Sequence, residues 1–203
     1  MAVVVFTTEH FEDGANHLEL VTRRAAQAGC ALAYVNMVGG QDDLVFDGDS
    51  IVVSAGGEVL ARAPQFDEHL LVVDLDLPAD SGHAAPAVVD GVRHVTISED
   101  AVAPYSPDPM LRPPATFAVD REGDAEVYRA LVVGLRDYVR KNGFRSVVLG
   151  LSGGIDSTLV AAIAADAIGA ENVVGVSMPS SYSSEHSKDD AADLAMRLGL
   201  DYR

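Results

Sequence analysis

One cysteine, Cys30, stands in 203 residues. A single thiol excludes an internal disulfide and any zinc site built on cysteine pairs. It lies in the apolar run CALAYVNMV, where it reads as a small buried hydrophobe. Basic residues are scarce too: 14 Lys and Arg face 31 Asp and Glu, a formal charge of −17. That charge favours solubility and repels phosphate backbones, so no nucleic-acid partner is expected. No apolar run approaches the roughly 20 residues needed to span a bilayer. The start, MAVVVFTTEH, lacks the basic flank and small-residue cleavage site of a signal peptide, so the expected location is cytoplasmic, away from membranes. The six histidines are scattered without metal-ligand spacing.

Three stretches of different pattern are present. In the first, Leu18, Val21, Ala25 and Ala28 recur at helical spacing from about Asn16, and Gly29 sits where a helix would end. Cys30 to Val38 reads as a strand buried on both faces, broken by Gly39-Gly40. Short strand-like runs follow at Leu44–Phe46, Ser50–Val53, Glu58–Ala61 and Leu70–Leu75, with Ala55-Gly56-Gly57 as a hairpin turn. In the second stretch, residues 78–122, seven of the nine prolines lie between Pro78 and Pro114. YSPDPMLRPP cannot sustain a helix or a central strand, so an inter-domain linker is expected, with one short strand at Val92–Ile97.

From Asp124 the pattern is α/β. Val127, Leu131, Leu135, Tyr138 and Val139 form a helical stripe, stopped by Asn142-Gly143. A strand at Arg145–Leu149, a glycine turn and a helix at Ser157–Ile168 come next. A strand at Val173–Met178 follows, then a capping box at Ser187 to Asp190 opening a helix with core positions Ala191, Leu194, Ala195 and Leu198. Strands alternating with helices imply a parallel sheet. Leu200-Asp201-Tyr202 reads as the approach to a third strand. Neither half has enough strands to bury a core with confidence, and a segment of a longer polypeptide is expected.

The chemistry lies in the turn Gly150-Leu151-Ser152-Gly153-Gly154-Ile155-Asp156-Ser157. A pyrophosphate needs converging hydrogen-bond donors with no side chains in the way. Gly153 and Gly154 let the main chain approach closely, and the helix that follows points free N–H groups and its positive dipole end at the same place. Ser152, Ser157 and Thr158 add hydroxyls. Asp156 would be repelled by phosphates unless a cation intervened, so it is the expected Mg²⁺ ligand. The string lacks the lysine of a Walker motif and is not a GxGxxG. The competing reading is a packing turn in which Asp156 or Ser157 merely caps the helix.

SGGIDS is similar to the signature of the N-type ATP pyrophosphatase, or PP-loop, superfamily. Within it, VGVSMPSSYSSEHSKDDAADLAMRLGL resembles the NAD synthetases. YVNMVGGQDDLVFDGDSIVV and GEVLARAPQF resemble the late part of the nitrilase-like glutaminase domain fused to the glutamine-dependent members of that family. The resemblance implies an α/β chain in which the end of a nitrilase-like α-β-β-α glutaminase domain (1–77) and a linker (78–122) precede the start of a parallel-sheet PP-loop domain (123–203).

It also implies ATP and Mg²⁺ as cofactors, with Gly150 to Ser157 binding ATP, and deamido-NAD with glutamine or ammonia as substrates. ATP would adenylate a carboxylate, ammonia would displace AMP, and a homo-oligomer of the full-length parent would be the working form. The family's Glu–Lys–Cys triad would lie upstream of Met1, so no catalytic residue is assigned here and the chain alone is expected to be inactive. The family's glutamine-contacting serine and basic residue fall in FTTEHFEDGANH, near Thr7 or Thr8 and near Asp13, and no residue is carried over. Tyr182, Ser183 and Ser184 follow the second strand where open α/β sheets bind ligands, and Ser177 and Met178 are candidates for an adenine pocket. The alternatives are a non-catalytic nucleotide-binding remnant, or another PP-loop amidotransferase of the GMP or asparagine synthetase kind.

Overall fold

A computed structural model describes residues 2–7, 11, 17–75, 88–89, 92–93, 116–118, 123–178 and 185–203. The amino-terminal half starts with strand β1 (Ala2–Thr7), helix α1 (His17–Ala28) and strand β2 (Ala31–Asn36). β1 and β2 pair in parallel from Ala2↔Ala31 to Thr7↔Asn36. Strand β3 (Val38–Gln41) and strand β4 (Leu44–Asp47) form a separate antiparallel hairpin. Strand β5 (Ile51–Val53) and strand β6 (Val59–Arg62) complete a four-stranded sheet of order β1-β2-β5-β6. The buried face of α1, Val21 and Ala25, packs with Tyr34, Ile51 and Val53.

Ala55-Gly56-Gly57 turns the chain between β5 and β6 as its composition implies. Ser54 organises the turn: its N–H donates to Glu58 O at 2.8 Å, and its Oγ accepts from the N–H groups of Gly56 and Glu58. Two strand expectations fail. Gly39-Gly40 does not end a strand but lies within β3, where small residues let a helix come close. Leu70–Leu75 forms no strand; Leu70 is 84% exposed.

Within the proline-rich stretch, strand β7 (Val88–Val89) pairs antiparallel with strand β8 (Val92–Arg93). The expected strand at Val92–Ile97 is matched at its first two residues, and the others lie outside the described set. Thr116 and Ala118 bracket Arg62 with main-chain hydrogen bonds, so this piece of the proline-rich stretch runs along β6.

The second half begins with helix α2 (Asp124–Lys141), followed by strand β9 (Val147–Gly150), helix α3 (Ile155–Ile168), strand β10 (Val173–Val176), helix α4 (Glu185–Leu198) and strand β11 (Asp201–Tyr202). The sheet is parallel, in the order β11-β10-β9. Leu151, Ala161, Ala191 and Ala195 form its buried core. The expected α4 stripe holds, but the helix starts at Glu185, so Ser187 sits in its first turn rather than at a cap.

α2 departs from its sequence reading in a useful way. Its buried residues are Ala130, Val132, Val133 and Val139, whereas Leu131 and Tyr138 are about half exposed. The helix has two packing faces because it lies between the halves. Ala130 and Val133 pack on Phe66, with Phe11 and Val45 against them. Val127, Leu131 and Leu135, from the expected stripe, line an apolar groove shared with Val160 and Ile163 of α3.

Candidate functional site

β9 delivers the glycine turn to the carboxyl end of the parallel sheet. Leu151 is buried and donates its N–H to Val176 O at 2.9 Å, extending the pairing by one residue. Gly175 makes room for it: a Cβ there would collide with the Leu151 side chain. The turn then leaves the sheet. Gly153 has φ +79°, a conformation that glycine adopts without steric cost, and Gly154 is the N-cap of α3.

The hydroxyls brace the turn from inside. Ser152 Oγ accepts from Gly154 N–H at 3.2 Å and lies 3.1 Å from Ser157 Oγ. Ser152 N–H donates to Ser157 Oγ at 3.3 Å. Ser157 Oγ and Thr158 Oγ1 also approach Gly154 O, at 3.1 and 2.9 Å. No side chain caps α3, which leaves its first-turn N–H groups open to an external acceptor. Gly150, Leu151, Ser152, Gly153, Gly154, Ile155, Asp156 and Ser157 thus form one continuous strand–turn–helix corner, with Ile155 and Asp156 facing solvent.

Asp156 stands in the first turn of α3, and among the described residues no ion pair reaches it. An exposed carboxylate beside serine hydroxyls is a set of hard oxygen donors, which fits Mg²⁺ rather than a softer metal. Ser177 and Met178 follow β10 nearby. Ser177 N–H donates to Arg203 O at 2.7 Å, and the Met178 methyl would lie 2.9 Å from a Cβ on Gly150. Tyr182, Ser183 and Ser184 lie outside the described residues. So does most of FTTEHFEDGANH: Thr8 and Asp13 are not described, and Thr7 closes β1, its carbonyl accepting from Met37 N–H. His186 is exposed and pairs with Asp190 on its own helix at 3.5 Å.

One polar cluster escaped the sequence. His17, Asp47 and Asp49 are all buried, with potential ligand atoms within 4.8 Å of one another. Asn36 donates to Asp47 at 3.1 Å, and the Arg62 guanidinium grips Asp49 through two bonds of 2.6 and 2.7 Å. Burial pushes the Asp47 carboxyl above its ordinary range, only partly offset by His17. With Arg62 already holding Asp49, the donors form an ion-pair network rather than a cation cage. Spacing could not reveal it, since His17 lies thirty residues before Asp47 and the two are brought together only by the tertiary fold.

Two family models match the chain. Residues 3–79 match carbon-nitrogen hydrolase, and residues 127–203 match NAD synthase. The glutamine-dependent NAD(+) synthetase of Rhodobacter capsulatus is 50% identical over 177 residues, covering 87% of this chain. The chain belongs with the glutamine-dependent NAD synthetases. Its counterpart from Aquifex aeolicus is 47% identical over 184 residues, 88% of this chain. The chain spans 27% of the first relative and 32% of the second. A solved glutamine-dependent NAD+ synthetase from Acinetobacter baumannii, in complex with ADP, superposes with a TM-score of 0.73 at 36% identity. It covers 99% of this chain and 33% of its own length. The fold is accordingly the nitrilase-like type followed by the NAD synthase PP-loop type, as the sequence implied.

Proposed function

We propose that the native protein carrying this NAD synthetase segment converts deamido-NAD to NAD, using ATP and Mg²⁺ and taking ammonia from glutamine. The observation that carries the reading is the glycine turn: a strand end, a positive-φ Gly153 and an uncapped helix N-terminus converge on one point. Such a corner suits the pyrophosphate of ATP, and the similar protein solved in complex with ADP supports an adenine nucleotide as the ligand class. We assign Gly150 to Ser157 to ATP binding and Asp156 to Mg²⁺.

The chemistry follows from the substrate. A carboxylate resists attack by ammonia. Transfer of AMP from ATP to the deamido-NAD carboxylate expels pyrophosphate and forms a mixed anhydride; ammonia then attacks the acyl carbon, AMP leaves, and the attacking nitrogen loses a proton. Bound Mg²⁺ would neutralise charge on the departing pyrophosphate. This chain's own part is to orient the phosphates by the N–H groups of the turn and the Ser152–Ser157 brace. We place residues 1–77 in the glutamine-hydrolysing half, 78–122 in the connection and 123–203 in the ATP-binding half. No residue here is assigned to glutamine hydrolysis itself.

We further read the native protein as a cytoplasmic homo-oligomer. Exposed apolar side chains on β1, among them Phe6 at 80% exposure, leave surface for more chain or a second subunit to cover. No helix among the described residues is long and apolar enough to cross a membrane. The test is NAD formation by the purified native protein with Mg-ATP, deamido-NAD and either glutamine or ammonium. AMP equal to the NAD formed is expected; ADP as the nucleotide product would overturn the reading.

A further inference from the structure

α2 is gripped on both sides. Its residues lie mostly within the stretch that matches NAD synthase, and the β3–β4 hairpin lies within the stretch that matches carbon-nitrogen hydrolase. At their contact a single residue, Gly40, is held through both main-chain groups. Its N–H donates to Asp137 Oδ2 at 2.8 Å, and its carbonyl accepts from Lys141 Nζ at 2.5 Å. Asp137 and Lys141 are four residues apart, so they stand on one face of α2 and reach the same peptide. Lys141 also donates to Gln41 Oε1 at 3.2 Å.

The approach is too close for side chains. A Cβ on Gly39 would lie 2.7 Å from Asp137 Oδ2, and one on Gly40 would lie 3.0 Å from Gly134 Cα. Gly39 also has φ +121°. Burial works against charge on Asp137. The Arg136 guanidinium at 2.8 Å, the Gly40 N–H and Lys141 outweigh it and hold the carboxyl below its ordinary range.

The same helix is tied elsewhere. Glu126 accepts from Gln65 at 2.7 Å, and Arg129 donates to Asp67 at 2.8 Å, again across the junction. On its far side Tyr128 donates to Asp166 of α3 at 2.7 Å. α3 carries the glycine turn at its other end. A continuous set of contacts therefore runs from the β3–β4 hairpin through α2 and α3 to the nucleotide turn.

We propose that Asp137 is a positioning residue that fixes the alignment of the glutamine-hydrolysing half on the ATP-binding half, and with it the use of glutamine-derived ammonia. The proposal rests on the functional reading above. Asp137 touches no reacting atom; it acts through Gly40. Free ammonium reaches the ATP-binding half from solvent and needs no such alignment, whereas nitrogen released from glutamine does.

The test compares Asp137→Ala, Asp137→Asn and Lys141→Met in the purified native protein. NAD formation is measured with glutamine and, separately, with ammonium, along with glutamate release. With Asp137→Ala, the glutamine-supported rate should fall on the order of tenfold while the ammonium-supported rate stays within about twofold, the signature of misplacement rather than lost chemistry. Glutamate should be released in excess of NAD. Asp137→Asn keeps an oxygen acceptor for the Gly40 N–H and should restore most of the coupling. If Asp137→Ala proves insoluble, Lys141→Met removes the other half of the clasp and should give the same split. Equal rates from both nitrogen sources, unchanged or lowered together, would overturn the positioning role. If the unaltered protein makes NAD from neither nitrogen source, the functional reading falls and takes the positioning role with it. NAD from glutamine alone would overturn the positioning role while leaving that reading in place, because free ammonium would then not serve the ATP-binding half.

Discussion

Gly153 lies against the Ser187 carbonyl so closely that a β-carbon at residue 153 would overlap it. The glycine turn is therefore shaped from two sides, by its own φ of +79° and by the first turn of α4. Gly153→Ala should strain the backbone by roughly 1–2 kcal/mol and push the α4 start outward. Mg-ATP affinity, measured by calorimetry on the native protein, should drop by about tenfold or more, since each 1.4 kcal/mol is one decade. Unchanged affinity would show that α4 need not seat on the turn for nucleotide to bind.

Asp156 separates binding from stability. It is exposed and in no ion pair among the described residues, so Asp156→Asn should change the free energy of unfolding by no more than about 0.5 kcal/mol. If it ligates Mg²⁺, the Mg²⁺-dependent gain in ATP affinity should fall on the order of a hundredfold, because a neutral amide is a poor substitute for a carboxylate on a hard dication. A Mg²⁺ titration of ATP binding reads both. An unchanged titration would return Asp156 to the role of a helix-start residue.

The turn was legible from sequence because its own residues, with a strand before them and a helix after, carry most of its shape; the close approach of Ser187 was not. Helix ends were legible for the same reason, with Gly29, Gly143, Gly169 and Gly199 at positive φ after four helices. Gly39-Gly40 was misread because what demands glycine there is α2, nearly a hundred residues on. The α2 stripe was misread because a helix between two halves buries two faces, and one period cannot describe both. His17, Asp47 and Asp49 gave no signal as a group, because His17 opens α1 while Asp47 closes β4 and Asp49 follows it, and only the tertiary fold brings helix start and hairpin end together.

Arg62 and Asp49 form a largely buried ion pair, with side chains 12% and 5% exposed. Deleting the cation leaves the buried Asp49 carboxylate without its Arg62 partner. Arg62→Met should destabilise the fold by about 3 kcal/mol or more. The double variant Arg62→Met with Asp49→Asn should recover part of that loss, because it removes the buried charge that Arg62 had balanced. Urea unfolding of the three proteins measures this, and equal losses in the single and double variants would mean the charge is not the cause.

Asp47 and Asp137 should pull pH-dependent stability in opposite directions. Asp137 titrates below its ordinary 3.8 in the folded chain, so its contribution is present above that pH and lost as pH falls through the folded value. Asp47 is the reverse. Burial raises its carboxyl above 3.8, His17 and the Asn36 hydrogen bond lower it, and neighbouring Asp49 raises it further. The folded state then holds its proton more tightly than the unfolded state, and stability falls as pH rises from 3.8 through the raised value. Asp47→Asn removes that descent and keeps an oxygen at the position, although the Asn36 amide must then share a neutral partner. Unfolding free energies of the two proteins, measured from pH 3.5 upward, should therefore diverge between 3.8 and the raised value, with the wild-type curve losing stability relative to the variant. Parallel curves across that interval would mean that the Asp47 charge is fully compensated in the folded chain by His17 and Asn36.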